Sequence, residues 1–279
     1  LYLGYIVLKI LRVYKNEEMP TDRDSFKFKR VELCGSLLHG LFSEYYSLQQ
    51  KDIYTKIDKE FYYHKNIYQD NFTSLIENNS KDYFKDRIVE DGFKKAFRGN
   101  WGAQERTKRP GVVQDLNRLS FNSALSHLRK INLPLDASAK VIGPRLLHTT
   151  QWGVIDPLDT PDGGNVGLHK HLALSTTVTF GYDSSLLIKL IRKLNIKFIE
   201  ECQLDILYHY TKLFINGNWV AVVFKPDNFI SSLVLLRRNS VIPIYTSISW
   251  DRLNNEIFIS TDAGRLCRTV IYIKNNNIS

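Results

Sequence analysis

Apolar and aromatic side chains recur at spacings of three and four residues through the first part of the chain. The stretch that follows Gly35 has them at Leu37, Leu38, Leu41, Phe42, Tyr45 and Tyr46. This spacing puts them on one side of a helix, and we interpret the stripe as core. The charged segment from Glu17 to Arg30 contains Pro20 and predicts a loop or an extended segment. Residues 1–98 are otherwise predicted to be mainly helical.

Short elements separated by Gly, Pro and Trp characterise residues 99–182. One helix is predicted here, with an apolar face formed by Phe121, Ala124, Leu125, Leu128 and Ile131. Its opposite face would carry Ser123, Ser126, His127 and Lys130. Loops are predicted at 132–140 and 156–167, and residues 153–155 resemble a short strand.

A mixed pattern of helices and strands covers residues 183–279. Asp183 and Ser184 can cap a helix that runs towards Leu194, and a second helix should begin near Asp227 or Asn228 and end around Arg237-Arg238. Asn216-Gly217 predicts a tight hairpin turn between two apolar runs. A second hairpin is predicted to pair 256–259 with 266–273. The expected fold class is therefore α+β and multidomain, with regions at 1–98, 99–182 and 183–279.

The charge of the chain favours a polyanionic partner without requiring one. Lysine and arginine outnumber acidic residues 38 to 29 among 279 residues, which gives a formal net charge of +9. The apolar opening is interrupted by Lys9 and Arg12 and is shorter than the ~20 residues of a membrane span, so no membrane association is expected. The three cysteines lie far apart and predict reduced, mostly buried thiols of an intracellular protein. Because the only methionine is Met19, we interpret the sequence as an excerpt of a longer protein.

Two groups of basic and polar residues are candidates for contact with nucleic acid. The first lies in the glycine-bounded loop 99–111, which is predicted to be flexible, and comprises Arg106, Lys108 and Arg109. The second is predicted to share one side of a helix whose other side is apolar, and comprises Gln114, Asn117, Arg118, Ser123, Ser126, His127, Arg129 and Lys130. Such groups can line a groove that holds a phosphate backbone, but they also describe a solvated basic loop and an ordinary surface helix.

A third group combines carboxylates with histidines between residues 144 and 171. Asp156, Asp159 and Asp162 could hold a hard cation, and His169 and His171 a softer one. The spacing matches no established metal motif, and Pro161 followed by three polar or glycine residues is equally a turn. The chain has no nucleophile elbow, phosphate-binding lysine loop or zinc-protease motif, so a freestanding hydrolase or kinase is poorly supported.

Six strings, taken in order, resemble motifs of one protein family. They are DRD with KRVELCG at 22–35, GNWG at 99–102, GVVQDLNRLSFNSALSHLRK at 111–130, PRLLH with WG and TPDG at 144–163, FINGNW at 214–219, and TDAGR at 261–265. Together they resemble the second-largest subunit of archaeal, eukaryotic and large-DNA-virus RNA polymerases. Asp156, Asp159 and Asp162 depart from the usual Cys, Glu and Glu, and Gln151 stands where His is common. This divergence suggests a rapidly evolving source such as a large DNA virus.

The resemblance implies a helical part of the protrusion, a mixed fork region and a small α/β external domain with hairpins. It implies that loops 102–111 and 133–140 are the two fork loops, beside the RNA–DNA hybrid and near downstream DNA. Residues expected to contact nucleic acid are Arg106, Lys108, Arg109, Gln114, Asn117, Arg118, Ser126, His127, Arg129, Lys130, Lys140, Arg145 and Asp159. The catalytic Mg²⁺ ions of such an enzyme would be held mainly by the largest subunit, and none by this chain.

The implied partners are the largest and other polymerase subunits, the DNA template and the RNA–DNA hybrid. The implied location is intracellular, in the nucleus or, for a virus, in the host cytoplasm or virion. Two alternatives stay open from the sequence: a stand-alone basic module that binds nucleic acid without catalysis, and a decayed copy of the subunit.

Overall fold

The computed structural model describes residues 1–68, 71–194, 196–203, 207, 209–270, 273–274 and 277–278. The chain folds as two compact units, one formed by Leu1–Val31 with Arg129–Ser279 and the other by Glu32–Leu128. Both helices and sheets are present, in agreement with the predicted α+β class. The division into family regions at 1–98, 99–182 and 183–279 stays a prediction, because the compact units follow other boundaries.

The elements are short except for one long helix. The helices are α1 (Tyr2–Tyr14), α2 (Cys34–Tyr63), α3 (Lys65–Tyr68), α4 (Phe72–Tyr83), α5 (Ile88–Phe97), α6 (Phe121–Leu128), α7 (Ser184–Ile191) and α8 (Pro226–Arg238). The strands are β1 (Lys130–Asn132), β2 (His169–His171), β3 (Thr176–Val178), β4 (Ile196–Phe198), β5 (Thr211–Ile215), β6 (Asn218–Val223), β7 (Ser247–Asp251), β8 (Glu256–Ser260), β9 (Leu266–Arg268), β10 (Ile273–Lys274) and β11 (Asn277–Ile278).

The long helix α2 organises the unit of residues 32–128. Leu41 and Tyr45 are buried and form a small core with Ala96 and Trp101. The prediction that the apolar stripe is core is confirmed only for the side of α2 that carries Leu41 and Tyr45. Phe42 and Tyr46 are nearly half exposed and stack on each other, with ring centroids 5.5 Å apart.

A five-stranded sheet forms the main core of the other unit. Its order is β4-β6-β5-β8-β7, with β5 and β8 parallel and the remaining neighbours antiparallel. One face packs against α7 and α8, and alternate strand residues point into this core. The buried residues are Leu187, Ile191, Phe198, Leu213, Ile215, Ala221, Val223, Phe229, Leu233, Ile242, Ile257 and Ile259.

The opposite face of this sheet carries α1. The Tyr5 ring lies 5.5 Å from Trp219 and 6.1 Å from Phe214, centroid to centroid. The Lys9 ammonium lies 2.8 Å from the buried carboxylate of Glu256. These contacts join the beginning of the chain to strands more than 200 residues later, which explains why residues 1–31 belong to this unit.

Local sequence signals predicted two helices and one hairpin correctly. The Asp183 carboxylate accepts a hydrogen bond from the Ser185 amide and caps α7. The helix α8 has the predicted bounds within two residues. Asn216 and Gly217 have φ of +48° and +84° in the β5–β6 turn, the left-handed conformation that the Asn-Gly pair favours.

Three predictions of local structure are wrong. The second hairpin does not form: β8 lies between β5 and β7, and β9 pairs instead with β3. Both edges of β8 are occupied, so the segment after it must pair elsewhere. The helix predicted through Ile131 ends at Leu128, because residues 130–132 pair with β2. Residues 153–155 form no strand: Gly153 and Val154 lie in a turn, and the buried Ile155 takes part only in isolated bridges to Trp152 and Leu172.

The cysteines agree with only one of the two expectations drawn from composition. The three cysteines are free, but Cys34 is exposed and Cys202 and Cys267 are half-buried, so the prediction of mostly buried thiols is wrong. Within the described part of the chain, no helix has the length and apolar character that crossing a membrane requires.

Candidate nucleic-acid interface

The basic loop of residues 99–111 has a defined shape. Its ends come together because the Arg109 amide donates to the Trp101 carbonyl at 3.1 Å. The Glu44 carboxylate of α2 accepts hydrogen bonds from the Ala103 amide and the Thr107 hydroxyl, each at 3.0 Å. Gly102 has a φ of +101°, and a Cβ there would lie 2.7 Å from the Thr107 carbonyl carbon. The loop is therefore held in one conformation, where the sequence suggested a flexible one.

The three cations of this loop are exposed and weakly engaged. The Arg106 Nε donates to the Gln104 side chain at 3.0 Å. Lys108 pairs with Glu105 at 2.6 Å, and Arg109 pairs with Glu32 at 2.7 Å. Exposed ion pairs contribute only about 0–1 kcal/mol, so a phosphate can replace these carboxylates at low cost.

A polar network connects the beginning of segment 114–120 to α6. The His127 Nδ1 accepts from the Asn117 amide at 3.1 Å, so its Nε2 carries the proton and donates to the Gln114 Oε1 at 2.9 Å. The Gln114 side-chain Nε2 in turn donates to the Gly111 carbonyl at 2.8 Å. Gln114 and Asn117 thus lie in a loop, not on a helix as the polar-face interpretation assumed.

Arg118 and Ser126 flank this network in different environments. Arg118 is exposed, and its side chain forms neither a hydrogen bond nor an ion pair with any residue that the structure describes. Ser126 lies half-buried on α6. Arg118 is therefore the cation of this segment that is best placed to meet a phosphate.

In the other unit, Arg129 is used inside the fold. Its guanidinium donates to the carbonyl oxygens of Leu172 and Thr176, each at 3.1 Å, and to that of Ala173. The neighbouring Lys130 begins β1, opposite His171 of β2. These bonds attach the start of β1 to the segment after β2.

Arg145 has the same kind of environment. Its guanidinium donates to four backbone carbonyls, those of Ala137, Ala139, Gly164 and Val166, at 2.6–3.2 Å. Lys140, one residue beyond Ala139, is exposed and has no side-chain hydrogen bond or ion pair among the described residues.

Asp159 lies beside a histidine. The His171 Nδ1 donates to the Asp159 carbonyl at 2.8 Å, with a carboxylate oxygen at 3.3 Å. His169 hydrogen-bonds Asn132 at 2.7 Å, and burial lowers its pKa. The two histidines are therefore engaged separately. Among the described residues, no group of three or more His, Cys, Asp and Glu side chains could hold a metal ion.

One contact joins two motifs that the sequence showed only separately. The His148 Nε2 lies 2.6 Å from an Asp22 carboxylate oxygen, and the Phe26 amide donates to Thr150 at 2.9 Å. The pKa of Asp22 is lowered, first by the Asp24 amide that donates to it and then by His148. The only signal of this pair in the sequence was that both strings matched motifs of one family.

Lys170 lies between the two histidines of the third group, and the sequence assigned it no role of its own. It is 6% exposed, and its ammonium donates to the Leu146 carbonyl at 3.2 Å. Burial lowers its pKa. The sequence showed only a cation between two histidines.

Comparison with known proteins identifies the family. Two family models match, "RNA polymerase Rpb2, domain 3" over residues 114–178 and "RNA polymerase Rpb2, domain 4" over residues 213–274. The chain belongs to the family of second-largest subunits of DNA-directed RNA polymerases. The domain 3 match contains every predicted contact residue except Arg106, Lys108 and Arg109.

The relatives match nearly the whole chain. It is 36% identical over 99% of its length to the DNA-directed RNA polymerase II subunit RPB2 of Encephalitozoon cuniculi, and 34% identical over 99% to that of Schizosaccharomyces pombe. It is 30% identical over its full length to the DNA-directed RNA polymerase subunit 2 of Acanthamoeba polyphaga mimivirus. The chain spans 22–24% of the length of these relatives. A stand-alone basic module is not favoured, because the similarity extends across both compact units.

Proposed function

We propose that the chain is part of the second-largest subunit of a DNA-dependent RNA polymerase. Its role is to help form the active-centre cleft that holds the DNA template and the RNA–DNA hybrid. The observation that carries this proposal is the presence, on a chain of this family, of exposed cations with weak or no partners. These are Arg106, Lys108, Arg109, Arg118 and Lys140.

Exposed cations of this kind suit a ligand that must move. A polymerase shifts its nucleic acid by one nucleotide per cycle, so contacts to phosphates must form and break readily. Cations engaged only by exposed carboxylates or by solvent meet this need, because little free energy is lost when they exchange partners. The His127 network would keep the segment that carries Arg118 in place meanwhile.

The bond-making chemistry belongs to the assembled enzyme. Two Mg²⁺ ions would stabilise the attacking and leaving oxygens of phosphodiester formation, and they would be held mainly by the largest subunit. The carboxylates of residues 156–162 would hold none of these ions; among the described residues there is no group of three or more His, Cys, Asp and Glu side chains that could hold a metal. The residues of this chain would position nucleic acid.

The proposed partners are the molecules that this subunit would contact in an assembled polymerase. They are the largest subunit, the other polymerase subunits, the DNA template and the hybrid. The assembled enzyme would act inside the cell, in the nucleus or, for a viral source, in the host cytoplasm or the virion.

The test compares single charge removals in polymerase that contains the full-length subunit. Arg118→Gln and Lys140→Gln each remove a cation proposed to meet a phosphate, whereas Lys59→Gln removes an exposed lysine of α2 outside the proposed set. Affinity for a template–RNA hybrid scaffold is measured across salt concentrations. Each phosphate contact contributes about 0.7–0.9 to the slope of log affinity against log salt.

The proposal predicts a slope that is smaller by roughly one for each of the first two variants. Lys59→Gln should retain the unmodified slope. The proposal is wrong if all three variants have equal slopes, because charge at these positions would then have no relation to bound nucleic acid.

A further inference from the structure

Arg145 occupies a position unlike that of the exposed cations. Its two terminal nitrogens carry four N–H groups, and all four donate to backbone carbonyls. Nη2 bonds Ala137 and Ala139 of loop 133–140, and Nη1 bonds Gly164 and Val166 of loop 163–168. A phosphate could receive a bond from these nitrogens only if a carbonyl lost one, and a single N–H, on Nε, is left over.

The two loops that Arg145 joins are packed closely. The Leu133 amide donates to the Leu168 carbonyl at 2.9 Å. Gly167 has a φ of +71°, and a Cβ there would lie 2.7 Å from the carbonyl carbon of Arg145. The guanidinium and the backbone of Arg145 therefore both contribute to one arrangement of the loops.

Lys140 is the exposed cation that depends on this arrangement. The carbonyl of its neighbour Ala139 is one of the four acceptors, and the Ala139 amide donates to the Asp136 carbonyl at 3.0 Å. The Asp136 carboxylate accepts from the Ser138 amide at 2.9 Å. The backbone is thus held on the N-terminal side of Lys140, while its exposed side chain has no hydrogen bond or ion pair with the part of the chain that the structure describes.

We infer that Arg145 is a positioning residue: it fixes loop 133–140 against loop 163–168 and so places Lys140, and it does not itself bind nucleic acid. This inference rests on the proposed function. Lysine cannot replace arginine in this role, because one ammonium has three N–H groups and no planar fork that reaches four carbonyls.

A double-mutant cycle in polymerase that contains the full-length subunit tests the inference. The variants are Arg145→Ala, Arg145→Lys, Lys140→Ala and the combination of Arg145→Ala with Lys140→Ala. The probe is a template–RNA hybrid scaffold, and the readout is the slope of log affinity against log salt. Arg145→Ala combined with Arg118→Ala is the control pair, for which the losses should add.

The expected result is that Lys140→Ala, Arg145→Ala and their combination all reduce the salt slope by the same amount. That amount is about 0.7–0.9, the contribution of one phosphate contact. Arg145→Lys should behave like Arg145→Ala. The inference is overturned if the combination loses two contacts or if Arg145→Lys keeps the full slope, since Arg145 would then contact phosphate itself. An unchanged slope in Arg145→Ala beside a reduced slope in Lys140→Ala also overturns it.

Amide hydrogen exchange separates this inference from the proposed function. Exchange in residues 133–140 and 163–168 should become at least tenfold faster in Arg145→Ala and Arg145→Lys, and stay unchanged in Lys140→Ala. If charge removal at Lys140 and Arg118 leaves the slope intact, the proposed function fails, and exchange still decides whether Arg145 holds the loops. Unchanged exchange in Arg145→Ala would refute the positioning role.

Discussion

Single glycines are required where the backbone leaves no room for a side chain. Gly167 and Gly163 have nearly equal φ, +71° and +69°, but only Gly167 has backbone within reach of a Cβ. Alanine in this conformation costs about 1–2 kcal/mol at either site. At Gly167, overlap with the Arg145 carbonyl should add roughly 1–3 kcal/mol.

This pair makes a matched experiment on local stability. We expect Gly167→Ala to lower the free energy of local unfolding by at least twice as much as Gly163→Ala, measured by hydrogen exchange of the Leu168 amide in the full-length subunit. Equal losses would show that the overlap is relieved by a small backbone shift.

Glu256 makes the stability of the sheet depend on pH. Its side chain is 2% exposed, and burial raises its pKa to about 7 although the Lys9 ammonium lies 2.8 Å away. A carboxyl whose pKa is raised on folding favours the folded state below its unfolded pKa of 4.5, and this contribution is lost as pH rises through about 7. The loss is on the order of 3 kcal/mol.

The measurement is hydrogen exchange of β8 amides between pH 4.5 and 8, corrected for the intrinsic exchange rate. Protection should fall as pH rises through about 7 in the unmodified protein. Glu256→Gln removes the ionisable group and should flatten this dependence. A dependence of the same size in the Gln variant would assign it to another group.

At the scale of elements, α8 shows how one helix divides between core and solvent. Leu233 is fully buried against the sheet, whereas Leu235, two residues later, is 59% exposed. Leu233→Ala should lower stability by about 2–5 kcal/mol, because it leaves a cavity. Leu235→Ala should change it by less than about 0.5 kcal/mol. The free energy of opening from β5 amide exchange in the full-length subunit measures both, and similar losses would mean that α8 packs differently.

Elements that arise from neighbouring residues were predictable. The Asp183 cap of α7 and the Asn216-Gly217 turn depend on conformations available within a few residues. The pairing of β9 with β3 joins residues about 90 apart. No turn signal encodes such a pair, so the hairpin predicted between β8 and β9 was wrong.

At the scale of the whole molecule, the positively charged side chains divide into those that bind the backbone and those that face solvent. Arg129 and Arg145 satisfy backbone carbonyls, whereas Arg106, Lys108 and Arg109 are exposed on a loop held by Glu44. We expect the combined Gln variant of these three loop cations to reduce the salt slope of scaffold binding by at most about 2.7. The measurement uses assembled polymerase, and an unchanged slope would exclude this loop from the interface.

The carboxylate that pairs with Arg109 should act in the opposite direction. Glu32→Gln frees the guanidinium from its 2.7 Å partner and removes a negative charge that repels phosphate. We expect affinity for the scaffold to rise by roughly two- to fivefold at low salt, consistent with about 0.4–1 kcal/mol for an exposed pair. Weaker binding in this variant would show that Glu32 instead positions the loop.

The sequence by itself determined the family, the mixed fold class, the local caps and turns, and the set of charged positions. These follow from residue types and short spacings, and six ordered motifs specified the family together. Tertiary structure alone decided which cations face solvent and which bind backbone carbonyls. The sequence shows that an arginine is present, but not what its guanidinium contacts. It also decided that α1 lies on a sheet formed 200 residues later and that β9 joins β3, since such contacts depend on which surfaces remain uncovered once the local elements have formed.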